Sequence, residues 1–182
     1  NASSPGKKMA YYSIMYCGYH FPGERPWEER WNTLRGLTEY NGKRVLELGC
    51  NMGLLSCFLM KFEGAQHAMA VDHDNDILES ATLISKAMDV SPAFEQINFD
   101  ARHDWESKLA SFEPDIVFAL NVLNWVRDKK RFLAFLGRFN TLIFEGHDSF
   151  ETERKRLQGV GFKSFELIGA SERSRPLMVC EK

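Results

Sequence analysis

Short runs rich in apolar residues alternate with longer amphipathic segments between residues 44 and 144. The runs predict strands at 44–48, 68–71, 94–98, 115–119 and 141–144. Between them apolar residues recur at helical spacing, as at Ile77, Ala81, Ile84 and Met88, and predict helices such as 54–62 and 74–88. Strands that alternate with helices in this way are typical of a parallel sheet covered on both faces. We therefore expect an α/β, doubly wound fold.

The alternation of strands and helices ends after a predicted helix at 150–160. Two further strands, at 162–168 and 177–180, are separated by a loop too short for a crossover helix, so they predict an antiparallel hairpin. The expected sheet is mostly parallel and seven-stranded, with helices on both faces and a C-terminal antiparallel hairpin. At the start of the helix, Asp148 and Glu151 match a capping box, which favours a structural role for Asp148.

A different pattern precedes the first of these strands. Residues 10–25 are rich in Tyr and Gly and predict a loop. Pro26 followed by Trp27, Trp31 and Leu34 predicts an amphipathic helix with proline at its first position. We expect residues 9–39 to form a lid and helix over a core domain at 40–182. Residues 1–8 are polar and are interpreted as a tail or tag remnant, so the chain is expected to be a domain of a longer protein or a cut form.

The amino-acid composition disfavours several classes of function for this chain. The chain has 182 residues, enough for one domain, and 23 Lys and Arg against 25 Asp and Glu, which gives no general attraction to nucleic acid. The apolar runs are too short to span a membrane. Four scattered cysteines favour neither a metal site nor a disulfide framework and suit a reducing, cytoplasmic setting. We expect no metal, no membrane span and no nucleic-acid partner.

Ligands of open α/β sheets bind at the carboxyl ends of the strands, where the strand order reverses. The loop after the first predicted core strand carries Gly49 and Gly53, which allow a ligand close to the backbone, although a tight strand-to-helix turn would use them as well. Asp72 ends the second strand, where a carboxylate can accept hydrogen bonds from a ribose diol; the alternative is a helix cap, for which Asp74 is better placed.

Two later strand ends are also candidates. Asp100 next to Phe99 could hold an adenine by its amino group and one face, or be an ordinary loop acid. Asn121 and Asn124 place amides where surface charges are more usual, which favours a functional role over a polar strand end.

Together these residues resemble the class I S-adenosylmethionine-dependent methyltransferases over residues 40–182. The resemblance lies in the segment from Val45 to Gly53, in Asp72, in Asp100, in residues 115–124 and in the closing hairpin. It implies that Gly49 carries the methionine part of the cofactor, Asp72 the ribose and Asp100 the adenine. The cofactor-binding residues expected on this basis and from the loops are Glu47, Gly49, Cys50, Asn51, Gly53, Asp72, Phe99, Asp100, Asn121, Tyr12 and Arg30.

The chain departs from the family pattern at two points. Asn51 stands where the family usually has glycine, and the signature of amino-group methylases acting on nucleic-acid bases is absent. Without that signature a nucleic-acid base is disfavoured as the acceptor, and the segments 11–14, 23–26 and 28–31 resemble those of methyltransferases that modify glycans or other small molecules. The resemblance implies a small-molecule or glycan acceptor, and we expect methylation on oxygen. Two alternatives stay open: a non-catalytic cofactor-fold module that serves as an interaction or regulatory domain, and a nicotinamide-dependent oxidoreductase. The spacing from Gly49 to Gly53 disfavours the oxidoreductase, which uses G-x-G-x-x-G.

Methyl transfer from a sulfonium depends mainly on alignment and on exclusion of water. A hydroxyl acceptor must lose its proton, and His147, just after the fifth core strand, is a candidate for that proton, or a surface histidine. Asn121 is the second catalytic candidate. Tyr12 belongs to the aromatic front segment, whose rings can shield a sulfonium, and Arg30 is a candidate for the cofactor's carboxylate.

Overall fold

The computed structural model describes residues 10–16, 18–170 and 174–182, and only the backbone of Ala10, Tyr19 and Phe21. The polar tail predicted at 1–8 and Cys17 lie outside the described residues. The strands are β1 (Ala10–Tyr16), β2 (Tyr19–Phe21), β3 (Gly23–Pro26), β4 (Arg44–Leu48), β5 (His67–Asp72), β6 (Ala93–Gln96), β7 (Ile116–Leu120), β8 (Thr141–Glu145), β9 (Ser164–Ala170) and β10 (Pro176–Glu181). The helices are α1 (Trp27–Leu34), α2 (Leu54–Phe62), α3 (Asn75–Met88), α4 (Trp105–Ala110), α5 (Lys129–Leu136) and α6 (Phe150–Gln158), with a 3₁₀ turn at Leu123–Trp125.

Seven strands form the main sheet, in the spatial order β6-β5-β4-β7-β8-β10-β9. The strands from β6 to β8 run parallel, and β10 is antiparallel to both β8 and β9. The predicted fold class, with its closing hairpin, is confirmed. The chain winds outward from β4 to β6, returns to β7 on the other side of β4, and so places the reversal of strand order between β4 and β7.

Alternate residues of the central strands enter two separate apolar layers. Leu46, Val117 and Phe144 are buried with the aromatic residues of α4 and α5. Val45 and Phe118 are buried on the opposite face with residues of α1 and α2. Burial of one such side chain stabilises the fold by about 1.5–3 kcal/mol, so both faces hold the strand register.

The front of the chain differs from the predicted loop. Residues 10–26 contain three strands in the order β2-β1-β3, with β1 antiparallel to β2 and parallel to β3. Tyrosine and isoleucine favour extended backbone and pack well in half-buried strands, which outweighs the nearby glycines. Ile14 is buried in the core, and the ring of Tyr12 lies 5.1 Å from the ring of Trp27. This segment is therefore an integral part of the packed structure.

Two predicted helix starts need correction and one is confirmed. Pro26 is the N-cap residue of α1 and Trp27 its first helical residue. The cap of α6 is Ser149, whose side chain accepts from the N–H of Thr152. Asp148 does not cap, because its carboxylate is drawn to Arg156, with a 2.5 Å hydrogen bond. Asp74 caps α3, as predicted, and accepts from the N–H groups of Asp76 and Ile77.

Candidate functional site

A cavity of about 520 Å³ opens at the carboxyl ends of β5, β4, β7 and β8, beside the reversal of strand order. Side chains from β1, β3 and α1 form its other wall. Eight residues predicted for the site line it together: Tyr12, Arg30, Glu47, Gly49, Cys50, Asn51, Asp72 and Asn121. The structure thus brings the glycine-containing loop, the acid of the second core strand and the front segment to one place.

The loop between β4 and α2 turns through three left-handed backbone conformations. Gly49 has a φ of 73°, Asn51 of 49° and Gly53 of 67°. Asparagine tolerates this region better than most residues, and the side-chain oxygen of Asn51 accepts from the N–H of Met52 at 2.9 Å. The departure from glycine at position 51 is therefore accommodated without loss of the turn.

Gly53 must be glycine for two reasons, so Gly53→Ala is expected to lower the free energy of unfolding by about 2 kcal/mol or more. Its φ is positive, and an added Cβ would lie 2.5 Å from the ring of Phe94 and 3.1 Å from Ala81. Gly36 also has a positive φ, of 74°, but nothing lies within 4 Å of an added Cβ. Urea unfolding of Gly53→Ala and Gly36→Ala separates crowding from backbone strain, and equal losses would show that Phe94 yields freely.

The carboxylate of Asp72 ties two strand-end loops together. Asp72 is buried, and it accepts from the N–H of Asn51 at 2.9 Å and from the N–H of Asp74 at 3.2 Å. The imidazole Nδ1 of His73 lies 3.1 Å from its Oδ1. One acid thus fixes the loop after β4 and the loop after β5, both of which line the cavity.

Glu47 anchors the first turns of α2, the helix that follows the same loop. Its Oε2 accepts from the N–H of Ser56 at 3.1 Å and from the Ser56 hydroxyl at 2.6 Å. Burial raises the pKa of Glu47 to about 7, and the hydrogen bonds from Ser56 oppose that rise. The carboxyl therefore changes charge near neutral pH while it stays anchored to the first turns of α2.

The far end of the cavity contains a charged group that the sequence analysis did not include. Glu145, the last residue of β8, is only 2% exposed and forms an ion pair with the guanidinium of Arg30. A second guanidinium lies close to the same carboxylate: Arg175 Nη1 is 3.9 Å from Glu145 Oε1. An acid that ends an apolar strand was a visible signal for Glu145, whereas nothing near Arg175 in the chain marks it.

Several buried polar atoms of this cavity lack a hydrogen-bond partner among the described residues. They are Trp27 Nε1, Asn121 Oδ1 and Arg175 Nη1; Glu145 Oε2 also makes no hydrogen bond but has the ion pair with Arg30. Buried polar groups in folded proteins nearly always have partners. Unsatisfied atoms gathered along one cavity indicate a place where a polar ligand supplies the missing partners.

The adenine site predicted at Phe99 and Asp100 does not line the cavity. Phe99 is buried, with its ring 5.1 Å from Trp105 and 5.0 Å from Phe132, so it belongs to the core. Asp100 Oδ1 accepts from the N–H of Arg127 at 2.8 Å and thereby holds the loop that follows β7. The adenine role of this pair stays a prediction that the arrangement of these side chains does not favour.

Three further candidates also lie away from the cavity lining. Gly53 serves the turn described above. The N–H of His147 donates to Glu153 at 2.9 Å, and burial together with the charge of Arg175 lowers the pKa of the His147 imidazole. Asn124 accepts from Lys129 Nζ at 3.3 Å. Trp125, which the sequence analysis did not single out, lies on the rim of the cavity and is 76% exposed.

Two absences hold for the part of the chain that the structure describes. In residues 10–16, 18–170 and 174–182, no group of three or more His, Cys, Asp and Glu side chains is arranged to hold a metal ion. Over the same ranges, every helix is too short or too polar to cross a membrane.

Comparison of the sequence with protein-family models and with curated proteins gives no match. Many solved structures share the fold. EvdMO1 has a TM-score of 0.67 and 13% identity, and the alignment covers 93% of this chain but only 43% of EvdMO1. The methyltransferase domain of bacterial CtHen1-CN has a TM-score of 0.65 and 19% identity, with 85% of this chain and 98% of that chain covered.

An S-adenosylmethionine-dependent methyltransferase from Mesorhizobium loti has a TM-score of 0.61 and 17% identity, and the alignment covers 84% of this chain and 95% of that one. Identities this low establish an architecture and leave substrates open. The strand order, the closing hairpin and these structural neighbours lead to the same conclusion: the chain has the fold of the class I S-adenosylmethionine-dependent methyltransferases.

Proposed function

We propose that this protein is an S-adenosylmethionine-dependent methyltransferase that acts on oxygen of a small-molecule or glycan acceptor. The observation that supports it most is the joint anchoring of the loop after β4 and the loop after β5 by Asp72, on a cavity at the reversal of strand order. This is the position at which open α/β sheets bind ligands.

The residues present fit that cofactor. Gly49 has no side chain to block a ligand, and the carboxylate of Asp72 suits a ribose diol. Arg30 supplies a guanidinium and Tyr12 an aromatic ring at the same cavity. When bound, S-adenosylmethionine supplies a methyl group on a sulfonium, which is electrophilic without a metal or a base.

The chain's own contribution is to align the acceptor and to exclude water. Tyr11, Tyr12 and Trp27 form the wall that the front segment gives to the cavity. Burial raises the pKa of Tyr12 above its ordinary value, so its phenol stays protonated at neutral pH and donates rather than removes a proton. His147 stays the predicted proton acceptor; its lowered pKa favours the neutral imidazole, the form that a base requires.

Binding of S-adenosylhomocysteine tests the proposal. We expect calorimetry to show one site per chain, and NAD⁺ under the same conditions to give no heat of binding. Trp125 offers a second readout, because Trp27, Trp31 and Trp105 are buried while Trp125 is exposed on the cavity rim. Addition of S-adenosylhomocysteine should change the tryptophan fluorescence, and Trp125→Phe should reduce that change and leave the part that comes from Trp27 in the cavity wall.

Methyl transfer itself separates an enzyme from a binding module. Incubation with S-adenosylmethionine labelled in the methyl group, together with pools of small hydroxylated acceptors and glycans, should yield labelled product. Binding of NAD⁺ in place of S-adenosylhomocysteine would contradict the proposed cofactor. Tight binding of S-adenosylhomocysteine without transfer to any acceptor would favour the non-catalytic module.

A further inference from the structure

We propose that the end of the cavity around Arg175 is the acceptor subsite and that it takes a hydroxy carboxylic acid. In this assignment the acid's carboxylate binds Arg175 and its neighbouring hydroxyl donates to Asn121. The inference rests on the proposed function, since it assigns the acceptor class of the same site.

Three strand ends bring these residues together. Leu120 pairs with Glu145 across β7 and β8, and the N–H of Asn121 donates to the Glu145 carbonyl at 3.0 Å. On the other side Glu145 pairs with Leu177 in β10, and the N–H of Gly146 donates to the Pro176 carbonyl at 3.1 Å. Asn121 and Arg175 therefore flank Glu145 from opposite sides, on rigid elements of the sheet.

Two guanidinium groups, those of Arg30 and Arg175, lie beside the single carboxylate of Glu145, so one positive charge among these three groups is not neutralised. The carboxylate forms an ion pair with Arg30, and Arg175 Nη1 lies 3.9 Å away, which is too far for a hydrogen bond. The side chain of Arg175 is 14% exposed, and Nη1 is buried without an acceptor among the described residues. A guanidinium nitrogen in such surroundings calls for an anionic oxygen, which a ligand in the cavity can supply.

A carboxylate is the anion proposed at Arg175, and a phosphate is the alternative that the experiment below distinguishes. An anion bound at Arg175 also lies near the carboxylate of Glu145, whose negative charge repels it. That repulsion and the attraction to Arg175 both grow with the charge of the ligand, so charge alone does not choose between the two anions. A planar carboxylate matches the planar guanidinium with two parallel hydrogen bonds.

Asn121 indicates that the ligand also carries a hydrogen-bond donor. Its Oδ1 is buried and has no donor among the described residues, although the residue lines the cavity. Its backbone is held at a φ of 61°, an uncommon conformation for a side-chain-bearing residue at a strand end. A ligand hydroxyl is the donor that completes this amide, so the ligand combines an acidic oxygen with a hydroxyl.

The cofactor's own carboxylate is the competing occupant of Arg175. Asp72 and Glu145 lie in one cross-strand row, three strand spacings or about 14 Å apart. The nine bonds from a ribose hydroxyl oxygen of S-adenosylmethionine to a carboxylate oxygen span about 11 Å when extended, and a hydrogen bond of about 2.8 Å at each end covers the rest. Arg30 offers that carboxylate a guanidinium at the same cavity. The effect of Arg175→Gln on S-adenosylhomocysteine affinity therefore distinguishes the two occupants of Arg175.

Three small probes test the subsite in protein saturated with S-adenosylhomocysteine: glycolate, acetate and ethylene glycol at constant ionic strength. By NMR titration we expect glycolate to bind, acetate to bind several-fold more weakly, and ethylene glycol to show no saturation. Arg175→Gln should weaken glycolate at least tenfold. Arg154→Gln, the same change at an arginine of α6 that pairs with Glu151, should leave glycolate binding unchanged.

Each outcome supports or overturns the assignment. If wild-type protein binds S-adenosylhomocysteine but not glycolate, or if inorganic phosphate binds more tightly than glycolate, the hydroxy acid class is wrong. A tenfold loss of S-adenosylhomocysteine affinity in Arg175→Gln would show that Arg175 binds the cofactor and not the acceptor. Arg175→Lys, with thermal melting of both variants, shows whether a loss reflects folding. Failure of S-adenosylhomocysteine to bind wild-type protein is a separate result, which overturns the proposed function itself.

Discussion

Asp72→Ala is expected to weaken the binding of S-adenosylhomocysteine by at least tenfold. The carboxylate offers acceptors for a ribose diol and also holds the N–H groups of Asn51 and Asp74, at 2.9 and 3.2 Å. Hydrogen bonds to a charged group contribute about 1.5–3 kcal/mol each, which corresponds to about ten- to a hundredfold in affinity. The loss therefore combines direct contacts with the ligand and a looser loop.

A ligand analogue separates these two contributions. The 2′,3′-dideoxy analogue of S-adenosylhomocysteine lacks the diol, so its loss of affinity for wild-type protein measures the direct contacts alone. Asp72→Ala should bind the parent compound more weakly than wild-type protein binds the analogue, because the variant also has a looser loop. The variant should no longer distinguish the two ligands. Asp104→Ala removes an acid that likewise accepts from a backbone N–H group, that of Ser107, but lies away from the cavity, and it should leave both affinities unchanged. Full affinity in Asp72→Ala would remove Asp72 from the site.

Most of the core fold follows from local patterns in the sequence. The strand 44–48 and the helix 54–62 match β4 and α2 to the residue, because each is mostly apolar and is bounded by Gly42, Gly53 and Gly64. The small front sheet was not predicted, since its stability comes from packing against α1, which in turn packs against α2. Tyr12 against Trp27 and Trp27 against Phe58 are contacts that no local pattern reveals.

The residues of the candidate site likewise fall into those that local sequence patterns predict and those that they do not. Gly49, Asp72 and Asn121 follow directly from the ends of predicted parallel strands, where position along the chain determines position in space. Arg175 lies thirty residues beyond Glu145 and reaches it only because β10 pairs antiparallel with β8. Phe99 shows the converse: an aromatic residue beside a strand-end acid suggested a ligand contact, but the core formed by Trp105 and Phe132 takes up its ring.

Glu47 is expected to make the protein less stable as pH rises from about 4.5 to about 7. Burial raises its pKa from 4.5 to about 7 in the folded chain, while the unfolded chain keeps the ordinary value. Between these limits the folded state holds the proton and the unfolded state has released it. The free energy of unfolding therefore falls with pH across this window, by about 3 kcal/mol in total from this group. Below 4.5 both states are protonated, and above 7 the loss is complete.

Glu47→Gln isolates this effect, because glutamine keeps an oxygen for Ser56 but does not ionise. Urea unfolding at pH 5 and pH 8 should show a larger fall in stability for the wild type than for the variant, by about 2.5 kcal/mol. Glu95→Gln is the matched control: its carboxylate is 37% exposed and pairs with Lys108, so its removal should leave most of the pH dependence in place. Equal pH dependence in wild type and Glu47→Gln would mean that Glu47 is ionised in the folded protein throughout this range. The hydrogen bonds from Ser56 would then outweigh the burial of the charge.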